Sequence, residues 1–326
     1  MLVTGGAGYI GSHAAKALRA SGRQVVILDN LSEGHSAAAL GADLVVGDTR
    51  DVTLLRSVMA DRGVGAVMHF AAWAAVGESV RDPAGYYANN VGGTLSVLEA
   101  MAAERVPCFV FSSSCAIFGE PAETPIAEDL PKRPMSAYGE TKLAVERALP
   151  HFERAYGIRS VALRYFNAAG ADPDGDLGED HHPERHLVPL ALEAAAGRRE
   201  LEIYGDDYPT PDGTCLRDYI HVADLASAHL LALDRLEGGA PSQVYNLGIG
   251  RPFSVREVMA SVERVTGRSV PHSIGPRRDG DPAVLFASNG RIREELGWAP
   301  RFPALDDIVR TAWRWLQAHP RKYGDR

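Results

Sequence analysis

The chain has 326 residues, of which 45% are hydrophobic and 23% charged, which is ordinary for a globular protein. Its net charge of −8 argues against a surface for nucleic acid or anionic lipid. From its apolar runs we expect neither a membrane span nor a signal peptide. Cys108, Cys115 and Cys215 have neither metal-ligand nor redox-pair spacing. We expect a cytoplasmic protein, large enough for one large and one small domain, with reduced cysteines.

A glycine-rich turn opens the chain. The residues before Gly5 are typical of the end of a strand, and residues 12–21 predict a helix. Glycines spaced as Gly5, Gly8 and Gly11 let a strand turn directly into a helix whose first N–H groups bind a pyrophosphate. The same spacing occurs in ordinary turns, so its context decides the interpretation.

A second predicted strand supplies that context. Residues 24–28 are apolar and are followed by Asp29. An acid about 20 residues after the glycines is placed to bind the ribose hydroxyls of an adenosine, and its charge repels a 2′-phosphate. The beginning of the chain therefore predicts a dinucleotide site that favours NAD over NADP.

Strands and helices alternate through the first half of the chain, which predicts an α/β protein with a doubly wound parallel sheet of the Rossmann type. Further strands are predicted at 44–46, 66–70, 107–111 and 158–163, and helices at 86–104 and 136–156. Each strand runs into small or polar residues at its carboxyl end, where such sheets bind ligands. We expect an NAD-binding domain over residues 1–167.

The pattern changes after Asn167. Residues 172–185 are rich in Asp, Pro, Gly and His and predict a loop. Shorter elements follow: helices at 189–196, 222–236, 255–266 and 306–319, and strands at 201–204 and 244–247. We expect a smaller C-terminal α+β substrate-binding domain over residues 168–326, parts of which return to the main sheet.

A tyrosine and a lysine occupy one face of the predicted helix at 136–156. Tyr138 and Lys142 are spaced to lie one above the other, although such polar pairs usually belong to a solvated face. Because a phenol has a pKa near 10, we expect Lys142 and a positive nicotinamide to lower the pKa of Tyr138. Tyr138 is then the candidate base, and Ser114 hydrogen-bonds the same oxygen. With the glycine turn, this trio predicts catalysis beside a nicotinamide.

A series of motifs extends this interpretation over nearly the whole length. They are residues 4–11 (TGGAGYIG), 29–31 (DNL), 47–48 (GD), 69–71 (HFA), 75–79 (AVGES), 89–91 (NNV), 111–114 (FSSS), 136–142 (SAYGETK), 164–170 (RYFNAAG) and 217–222 (RDYIHV). On these motifs the chain resembles the extended short-chain dehydrogenases/reductases and, among them, the UDP-galactose (UDP-glucose) 4-epimerases.

The resemblance implies an isomerase that inverts C4 of a UDP-hexose through a transient 4-keto intermediate. NAD takes the C4 hydride while Tyr138 takes the hydroxyl proton, and the ketose rotates before the hydride returns. Leu285 occupies the position that limits the space around the C2 substituent. Since leucine is intermediate in size, we expect UDP-glucose/UDP-galactose interconversion, with UDP-GlcNAc/UDP-GalNAc also open. A UDP-pentose or UDP-uronic acid 4-epimerase is the alternative.

The resemblance also implies a set of contacts, with Lys142 reaching the nicotinamide ribose and Asp48 facing the adenine. The expected cofactor-binding residues are Gly5, Gly8, Tyr9, Ile10, Gly11, Asp29, Asn30, Leu31, Asp48, Thr49, Phe70, Ala71, Ala72, Asn89, Ser112, Tyr138, Lys142, Tyr165 and Phe166. The expected substrate-binding residues are Ser114, Tyr138, Asn167, His186, Leu187, Tyr204, Arg217, Tyr219, Arg278, Asp281 and Leu285. Two arginines suit a diphosphate through fork-shaped hydrogen bonds.

Three positions depart from the pattern of the family. Ala74 stands where many relatives carry a lysine, Phe118 replaces a common tyrosine, and His186 stands where an asparagine is frequent. His181, His182 and His186 form a histidine cluster, but we see no carboxylate or cysteine partners at fixed spacing. We therefore expect no metal.

Two other reactions, dehydration and decarboxylation of a nucleotide sugar, use the same scaffold, and a regulator that binds NAD without catalysis is a third alternative. By resemblance, nucleotide-sugar 4,6-dehydratases and decarboxylases place an acid directly after the serine or threonine. Here Cys115 and Ala116 follow Ser114, which favours the epimerase. A regulator that binds NAD without turnover usually lacks the phenol–lysine pair, which is intact in this chain.

The family resemblance implies a homodimer. Relatives pack the helices at 86–104 and 136–156 of two subunits into a four-helix bundle. Ala100, Ala103, Ala144 and Ala148 supply small residues for such packing, unless they pack against the sheet of their own chain.

Overall fold

The computed structural model describes residues 1–278 and 281–324. In these ranges the strands are β1 (Leu2–Thr4), β2 (Val26–Asp29), β3 (Asp43–Val46), β4 (Ala66–His69), β5 (Cys108–Ser114), β6 (Arg159–Tyr165), β7 (Asn167–Ala169), β8 (Leu201–Tyr204), β9 (Leu216–Arg217), β10 (Tyr219–His221), β11 (Gln243–Leu247), β12 (Phe253–Ser254), β13 (His272–Gly275) and β14 (Val284–Leu285). The helices are α1 (Tyr9–Ala20), α2 (Val52–Asp61), α3 (Val76–Arg81), α4 (Pro83–Tyr86), α5 (Gly93–Glu104), α6 (Ala137–Tyr156), α7 (Leu187–Ala195), α8 (Val222–Glu237), α9 (Val255–Thr266), α10 (Gly290–Leu296) and α11 (Leu305–Ala318).

Parallel strands form the main sheet, in the order β11-β6-β5-β4-β1-β2-β3. From β1 the chain moves outward through β2 and β3, then returns to the other side of β1 with β4. Val3 therefore lies opposite both Ile27 and Met68. This reversal of strand order, between β1 and β4, is where open α/β sheets bind ligands. The predicted doubly wound α/β sheet is confirmed.

Helices cover both faces of the sheet, because successive side chains of a strand point to opposite faces. Val3 and Ile27 pack in one core with α1 and α8. Leu2 and Leu28, their neighbours in sequence, pack in a second core with α2 and α5. Each of these fully buried aliphatic side chains stabilises the fold by roughly 1.5–3 kcal/mol.

Later strands form small sheets beside the main one. They pair as β7 with β10, β8 with β13, and β12-β9-β14. Val188 of α7, Val258 of α9 and Ile308 of α11 share a separate core. Because β7 follows β6 after a single residue, this second unit begins at the carboxyl edge of the main sheet. β11 returns to that sheet and pairs with β6.

Some predicted boundaries differ from the observed ones. α1 begins at Tyr9, because Gly8 has the extended conformation of an N-cap, whereas the prediction had placed the start at Ser12. The helix predicted at 86–104 comprises the end of α4, a π-helical segment at Tyr87–Gly92, and α5. Among the described helices, none is long and apolar enough to cross a bilayer.

Candidate active site

The turn after β1 leaves a space that side chains would fill. Gly5 has a φ of +70°, and a Cβ on it would lie 2.5 Å from the backbone nitrogen of Ala71. A Cβ on Gly11 would lie 2.1 Å from the carbonyl oxygen of Gly5. With Gly8 as N-cap of α1, the cradle fits the pyrophosphate of a dinucleotide.

Asp29 ends β2 and holds this turn. One carboxylate oxygen accepts the N–H of Ala7 at 2.9 Å, and the other accepts the N–H of Leu31 at 2.9 Å. The residue is 7% exposed. The predicted ribose-binding acid thus lies directly beside the predicted pyrophosphate turn.

Asn30 and Asp48 meet at the ends of β2 and β3. The amide of Asn30 donates to the Asp48 carboxylate at 3.4 Å, and the Arg50 guanidinium donates to it at 2.7 and 2.8 Å. The hydrogen bonds from Arg50 are the main reason why the pKa of Asp48 is lowered to about 2. Asp48 is therefore charged at neutral pH.

A buried histidine fastens β4 to β1. His69 hydrogen-bonds the hydroxyl of Thr4 through Nδ1 at 2.6 Å and that of Thr94 through Nε2 at 2.8 Å. Burial lowers the pKa of His69 to about 3, so the ring is neutral. The N–H groups of Phe70 and Ala71 also donate to the Thr4 carbonyl, at 2.9 and 3.1 Å. This places the end of β4 against the glycine turn.

Asn90, which sequence reasoning did not select, links three segments of the site. Its side chain accepts the N–H of Trp73 at 2.9 Å and donates to the Thr141 hydroxyl of α6 at 3.1 Å. Asn89, the residue that was selected, donates to Asn90 at 3.0 Å. The two are adjacent in sequence, and the π-helical segment decides which of them is buried.

Tyr138, Lys142 and Ser114 come together at the carboxyl end of β5. Ser136 caps α6, which begins directly before Tyr138. Lys142 donates from Nζ to the Ser112 carbonyl at 2.8 Å and lies 5.9 Å from the centre of the Tyr138 ring. The Ser114 hydroxyl, at the end of β5, acts to lower the pKa of the Tyr138 phenol. The arrangement suits proton transfer to and from a ligand oxygen.

In the protein alone, burial shifts the pKa values of both Tyr138 and Lys142. Burial raises the pKa of Tyr138 to about 12, against the opposing hydrogen bond of Ser114. Burial lowers the pKa of Lys142 to about 7, against the opposing charge of Glu146. In the protein by itself burial is the dominant effect, because low dielectric disfavours both charged forms. The joint effect of Lys142 and a bound nicotinamide stays a prediction. Phenolate formation needs a further positive charge beside the ring.

Glu146 anchors α6 and was not among the residues selected from the sequence. It lies one turn after Lys142 and accepts the Ser113 hydroxyl at 2.5 Å. Arg164 of β6 donates to it from Nε at 2.9 Å and from Nη2 at 2.5 Å. The Arg164 and Glu146 side chains are 4% and 6% exposed. The position four residues after Lys142 was the one available sequence signal.

The segment after β6 approaches the same trio. The hydroxyl of Tyr165 hydrogen-bonds that of Ser112, and burial raises the pKa of Tyr165, so this phenol is neutral. Phe166 is buried in a small apolar cluster that includes Cys115 and Leu285. The predicted cofactor residue Phe166 and the predicted sugar-limiting residue Leu285 therefore lie together.

Two arginines were predicted to bind the substrate, and each makes its own local contacts. Arg217 forms an ion pair with Asp281 and lies opposite Leu285 in the pairing of β9 with β14. The guanidinium of Arg278 lies 3.8 Å from the centre of the Tyr204 ring. These predicted substrate residues thus form two local groups, one charged pair and one cation–π pair.

Asp218 holds backbone groups of several neighbouring segments through hydrogen bonds. Its carboxylate accepts the N–H of Ile249 at 2.9 Å and that of Ala287 at 3.2 Å, and its carbonyl accepts the Asn167 amide at 3.0 Å. Tyr219, next to it, is buried and lies opposite Asn167 in the pairing of β10 with β7. Asp218 was part of a quoted motif, but its role depends on contacts that the sequence does not show.

His186 and Leu187 stand at the start of α7, where His186 is the N-cap. The ring of His186 hydrogen-bonds the Glu179 carboxylate, and the backbone N–H of His186 donates to the Glu184 carboxylate at 3.1 Å. The predicted substrate loop is therefore held by two acidic side chains.

The histidine cluster has carboxylate neighbours after all. His181 Nδ1 lies 3.2 Å from the Glu179 carboxylate and 3.7 Å from that of Glu184. Together with His186 these residues form a group of four in which the potential metal-ligand atoms, one from each side chain, all lie within 4.8 Å of one another. The expectation that such partners are lacking is wrong, since the loop folds back on itself. Lys322 Nζ lies 3.6 Å from Glu184, so the chain supplies its own cation to the cluster.

Cys115 bears on the rival reactions. It follows Ser114 and begins a 3₁₀ turn at Cys115–Phe118. Burial raises the pKa of the Cys115 thiol to about 12. A neutral thiol of this kind is a poor replacement for the carboxylic acid that a dehydratase uses.

The predicted cofactor residues follow the carboxyl ends of the strands. Gly5, Gly8, Tyr9, Ile10 and Gly11 follow β1; Asn30 and Leu31 follow Asp29 at the end of β2; Asp48 and Thr49 follow β3; Phe70, Ala71 and Ala72 follow β4; and Phe166 follows Tyr165 at the end of β6. One edge of the sheet thus carries them all, beside Asn89, Ser112 and the catalytic trio.

Comparison with known proteins identifies the family. The model of the NAD dependent epimerase/dehydratase family matches residues 1–248. The chain is 50% identical to a UDP-glucose 4-epimerase of Lacticaseibacillus casei over 326 residues, which cover 99% of this chain and 98% of that protein. The crystal structure of UDP-glucose 4-epimerase from Brucella ovis in complex with NAD superposes with a TM-score of 0.94, at 53% identity over 96% of both chains.

A more distant structure agrees. The UDP-glucose 4-epimerase of Bifidobacterium longum, in complex with NAD+ and UDP, superposes with a TM-score of 0.92 at 38% identity, over 98% of both chains. Matches of this extent cover both the sheet and the smaller unit beside it. The chain therefore belongs to the NAD-dependent epimerase/dehydratase family.

Proposed function

We propose that the chain is an isomerase that inverts C4 of a UDP-hexose with NAD as cofactor, and that UDP-glucose and UDP-galactose are its main substrates. The observation that carries the proposal is the convergence of Tyr138, Lys142 and Ser114 at the edge that holds the glycine turn. Two relatives that are 50% identical to this chain over 99% of its length are named UDP-glucose 4-epimerase.

The cofactor would lie across the reversal of strand order, with its pyrophosphate in the glycine turn and its adenosine beside Asp29. When bound, NAD⁺ accepts a hydride from C4 and later returns it. Its positive ring also supplies the charge that Tyr138 requires, because burial alone raises the pKa of that phenol. Protonated Lys142 holds the Ser112 carbonyl and adds positive charge near the same ring.

Tyr138 is the proposed acid–base group. As a phenolate it takes the proton of the C4 hydroxyl, and as a phenol it returns that proton after the sugar has turned. Ser114 orients the reacting oxygen through its hydrogen bond to Tyr138. Tyr165 is partly buried and hydrogen-bonds Ser112, and in the proposal it lines the cofactor site.

The substrate is held by its nucleotide. In the proposal, Arg217 and Arg278 bind the diphosphate, while Asn167, His186, Leu187, Tyr204, Tyr219 and Asp281 contact the rest of the UDP. Arg217 has five N–H donors in a fork, so it can keep Asp281 and still donate to a phosphate. Weak contacts to the sugar let the 4-keto ring rotate without leaving the site.

Leu285 governs the range of sugars in this proposal. It lies in the cluster with Phe166 and Cys115 and is itself of intermediate size. We infer that glucose and galactose fit without strain and that an N-acetyl group at C2 is also admitted. A UDP-pentose or UDP-uronic acid is the alternative substrate. We further propose that the site works without a metal, because Lys322 already neutralises the acidic loop.

We also infer a cytoplasmic homodimer whose subunits each divide near residue 167 into an NAD-binding and a mainly UDP-sugar-binding domain. Tyr87 of the π-helical segment and Leu95 of α5 are 44% and 37% exposed. Ala100 is fully buried in its own chain and does not contribute to such an interface, whereas Ala103 is exposed. Ala144 and Ala148 of α6 are half-buried.

The activity is tested with purified protein and no added cofactor. UDP-glucose, UDP-GlcNAc and UDP-xylose are incubated in turn, and the products are identified by proton NMR. We expect UDP-galactose to form from UDP-glucose, without net oxidation. Loss of water or CO₂ from the sugar, or turnover of UDP-xylose alone, would contradict the assignment.

A further inference from the structure

The segment after α11 packs between two loops of the site. The ring of Tyr323 stacks on the ring of His35, with centroids 4.7 Å apart and planes at 25°. Its backbone N–H donates to the Asp180 carboxylate at 3.2 Å, and its hydroxyl lies 3.3 Å from the carbonyl oxygen of Gly178. The tail is therefore fastened both to the segment after β2 and to the loop before α7.

On one side this contact reaches the glycine turn. His35 is 3% exposed, and its backbone N–H donates to the backbone carbonyl of Ala7 at 2.9 Å. Its Nε2 lies 3.1 Å from the Asp180 carbonyl. Since Asp29 accepts the N–H of Ala7, both backbone groups of Ala7 are held. Movement of the His35 ring would thus be transmitted directly to the turn that cradles the pyrophosphate.

On the other side the tail reaches the substrate loop. Lys322 Nζ lies 3.1 Å from Glu193 of α7, 3.6 Å from Glu184 and 3.7 Å from Asp180. Glu184 in turn accepts the N–H groups of Arg185 and His186, at 2.8 and 3.1 Å. Lys322 therefore holds the backbone that leads into His186 and α7.

We propose that Lys322 and Tyr323 form a C-terminal clamp of positioning residues: Tyr323 keeps NAD bound between turnovers, and Lys322 orders the substrate loop while UDP-sugars exchange. The inference rests on the proposed function, in which NAD ends each cycle in the state in which it began. Release of NAD then serves no step, and a closed glycine turn prevents it. Tyr323 acts on the turn through His35, and Lys322 acts on the substrate loop through Glu184.

The cofactor arm of the test compares Tyr323→Leu with the parent holoenzyme. We expect NAD to dissociate about tenfold faster from the variant, because a lost aromatic stack of about 1.4 kcal/mol corresponds to that factor. Bound NAD per chain is measured after gel filtration, and dissociation is followed by the loss of NAD during dilution. Added NAD should restore the parental kcat. Tyr323→Phe keeps the ring and should retain NAD, as should Arg321→Leu, a control at an exposed position of the same tail.

The substrate arm uses Lys322→Met, which should raise KM for UDP-glucose while kcat and bound NAD stay at parental values. If Tyr323→Leu does not fold, His35→Asn removes the same stack. The clamp is refuted if the stack variant keeps NAD as long as the parent, or if its lost activity is not restored by NAD. A parent that keeps NAD through Tyr323 but does not epimerise UDP-glucose would instead refute the proposed function.

Discussion

At the scale of single residues, burial sets the acid–base chemistry of the site. Tyr138 is half-buried and Lys142 is buried, and this removal from water raises the pKa of the phenol to about 12 and lowers that of the amine to about 7. Both shifts oppose the charges that the proposed reaction needs. A cationic nicotinamide beside the phenol would oppose the first shift, so proton transfer by Tyr138 would depend on the presence of oxidised cofactor.

Replacing the phenol tests its assigned role. We expect Tyr138→Phe to lower kcat by about 10²–10⁴-fold, the usual contribution of a positioned acid–base group, and to leave NAD bound. Steady-state kinetics with UDP-glucose and the bound-NAD content provide the two measurements. Tyr156→Phe, on the same helix but 61% exposed, is the matched control. Unchanged turnover of Tyr138→Phe would exclude this residue as the base.

The amine makes a separate prediction about stability. The native pKa of Lys142 lies near 7 and that of an unfolded lysine near 10.4, so between these pH values the unfolded state holds the extra proton. The free energy of unfolding therefore rises with pH through this window, by at most about 1.4 kcal/mol per pH unit. This pH dependence is measured by urea unfolding of the NAD-free parent and of the NAD-free Lys142→Met variant at pH 6.5 and at pH 9. A stability difference between the two proteins that stays constant with pH would contradict the lowered pKa.

At the scale of secondary-structure elements, α6 is held in register by one buried ion pair. Glu146 joins the helix to Ser113 of β5 and Arg164 of β6, directly beneath Lys142. Its position one turn from the amine means that the anchor and the site share a helix face. The geometry of the trio thus depends on a residue that would touch neither ligand.

Breaking this anchor should be costly. Glu146→Ala leaves Arg164 buried without its carboxylate, and we expect a loss of about 3–5 kcal/mol in the free energy of unfolding. Denaturant titration measures the loss. Glu153→Ala, two turns further along α6, should change stability by no more than about 0.5 kcal/mol. Equal effects of the two substitutions would show that the ion pair does not hold the helix.

At the scale of the whole molecule, the reversal of strand order between β1 and β4 brings the two parts of the site together. The first part of the chain supplies the glycine turn and the acid, and the later part supplies the trio and the arginines. The main sheet places the glycine turn, the acid and the trio at one edge.

The proposed dimer gives a prediction at this scale. The parent should elute with twice the chain mass of 35.0 kDa in light-scattering chromatography. Leu95→Glu should elute as a monomer, because a charge would be buried in the interface. Ile274→Glu, at a 49% exposed position of β13, is the control and should stay dimeric. A dimeric Leu95→Glu would place the interface elsewhere.

Much of the architecture was predictable because it depends on local pattern. Alternating apolar strands and amphipathic helices predicted the parallel sheet, and the spacing of Gly5, Gly8 and Gly11 predicted a turn that the structure contains. The choice between Asn89 and Asn90 was not predictable, since a π-helical segment has no comparable signature. The boundary of α1 was misplaced because Ser12 is a better cap by composition than Gly8.

The sequence by itself determined the fold class, the turn after β1 and the spacing of Tyr138 with Lys142, because backbone conformation and periodicity act over a few residues. The tertiary structure alone decided the pKa values of that pair, the carboxylates around His181 and the contact of Tyr323 with His35. These depend on burial and on groups far apart in the chain. Low dielectric and long-range packing become defined only when the whole sheet has assembled.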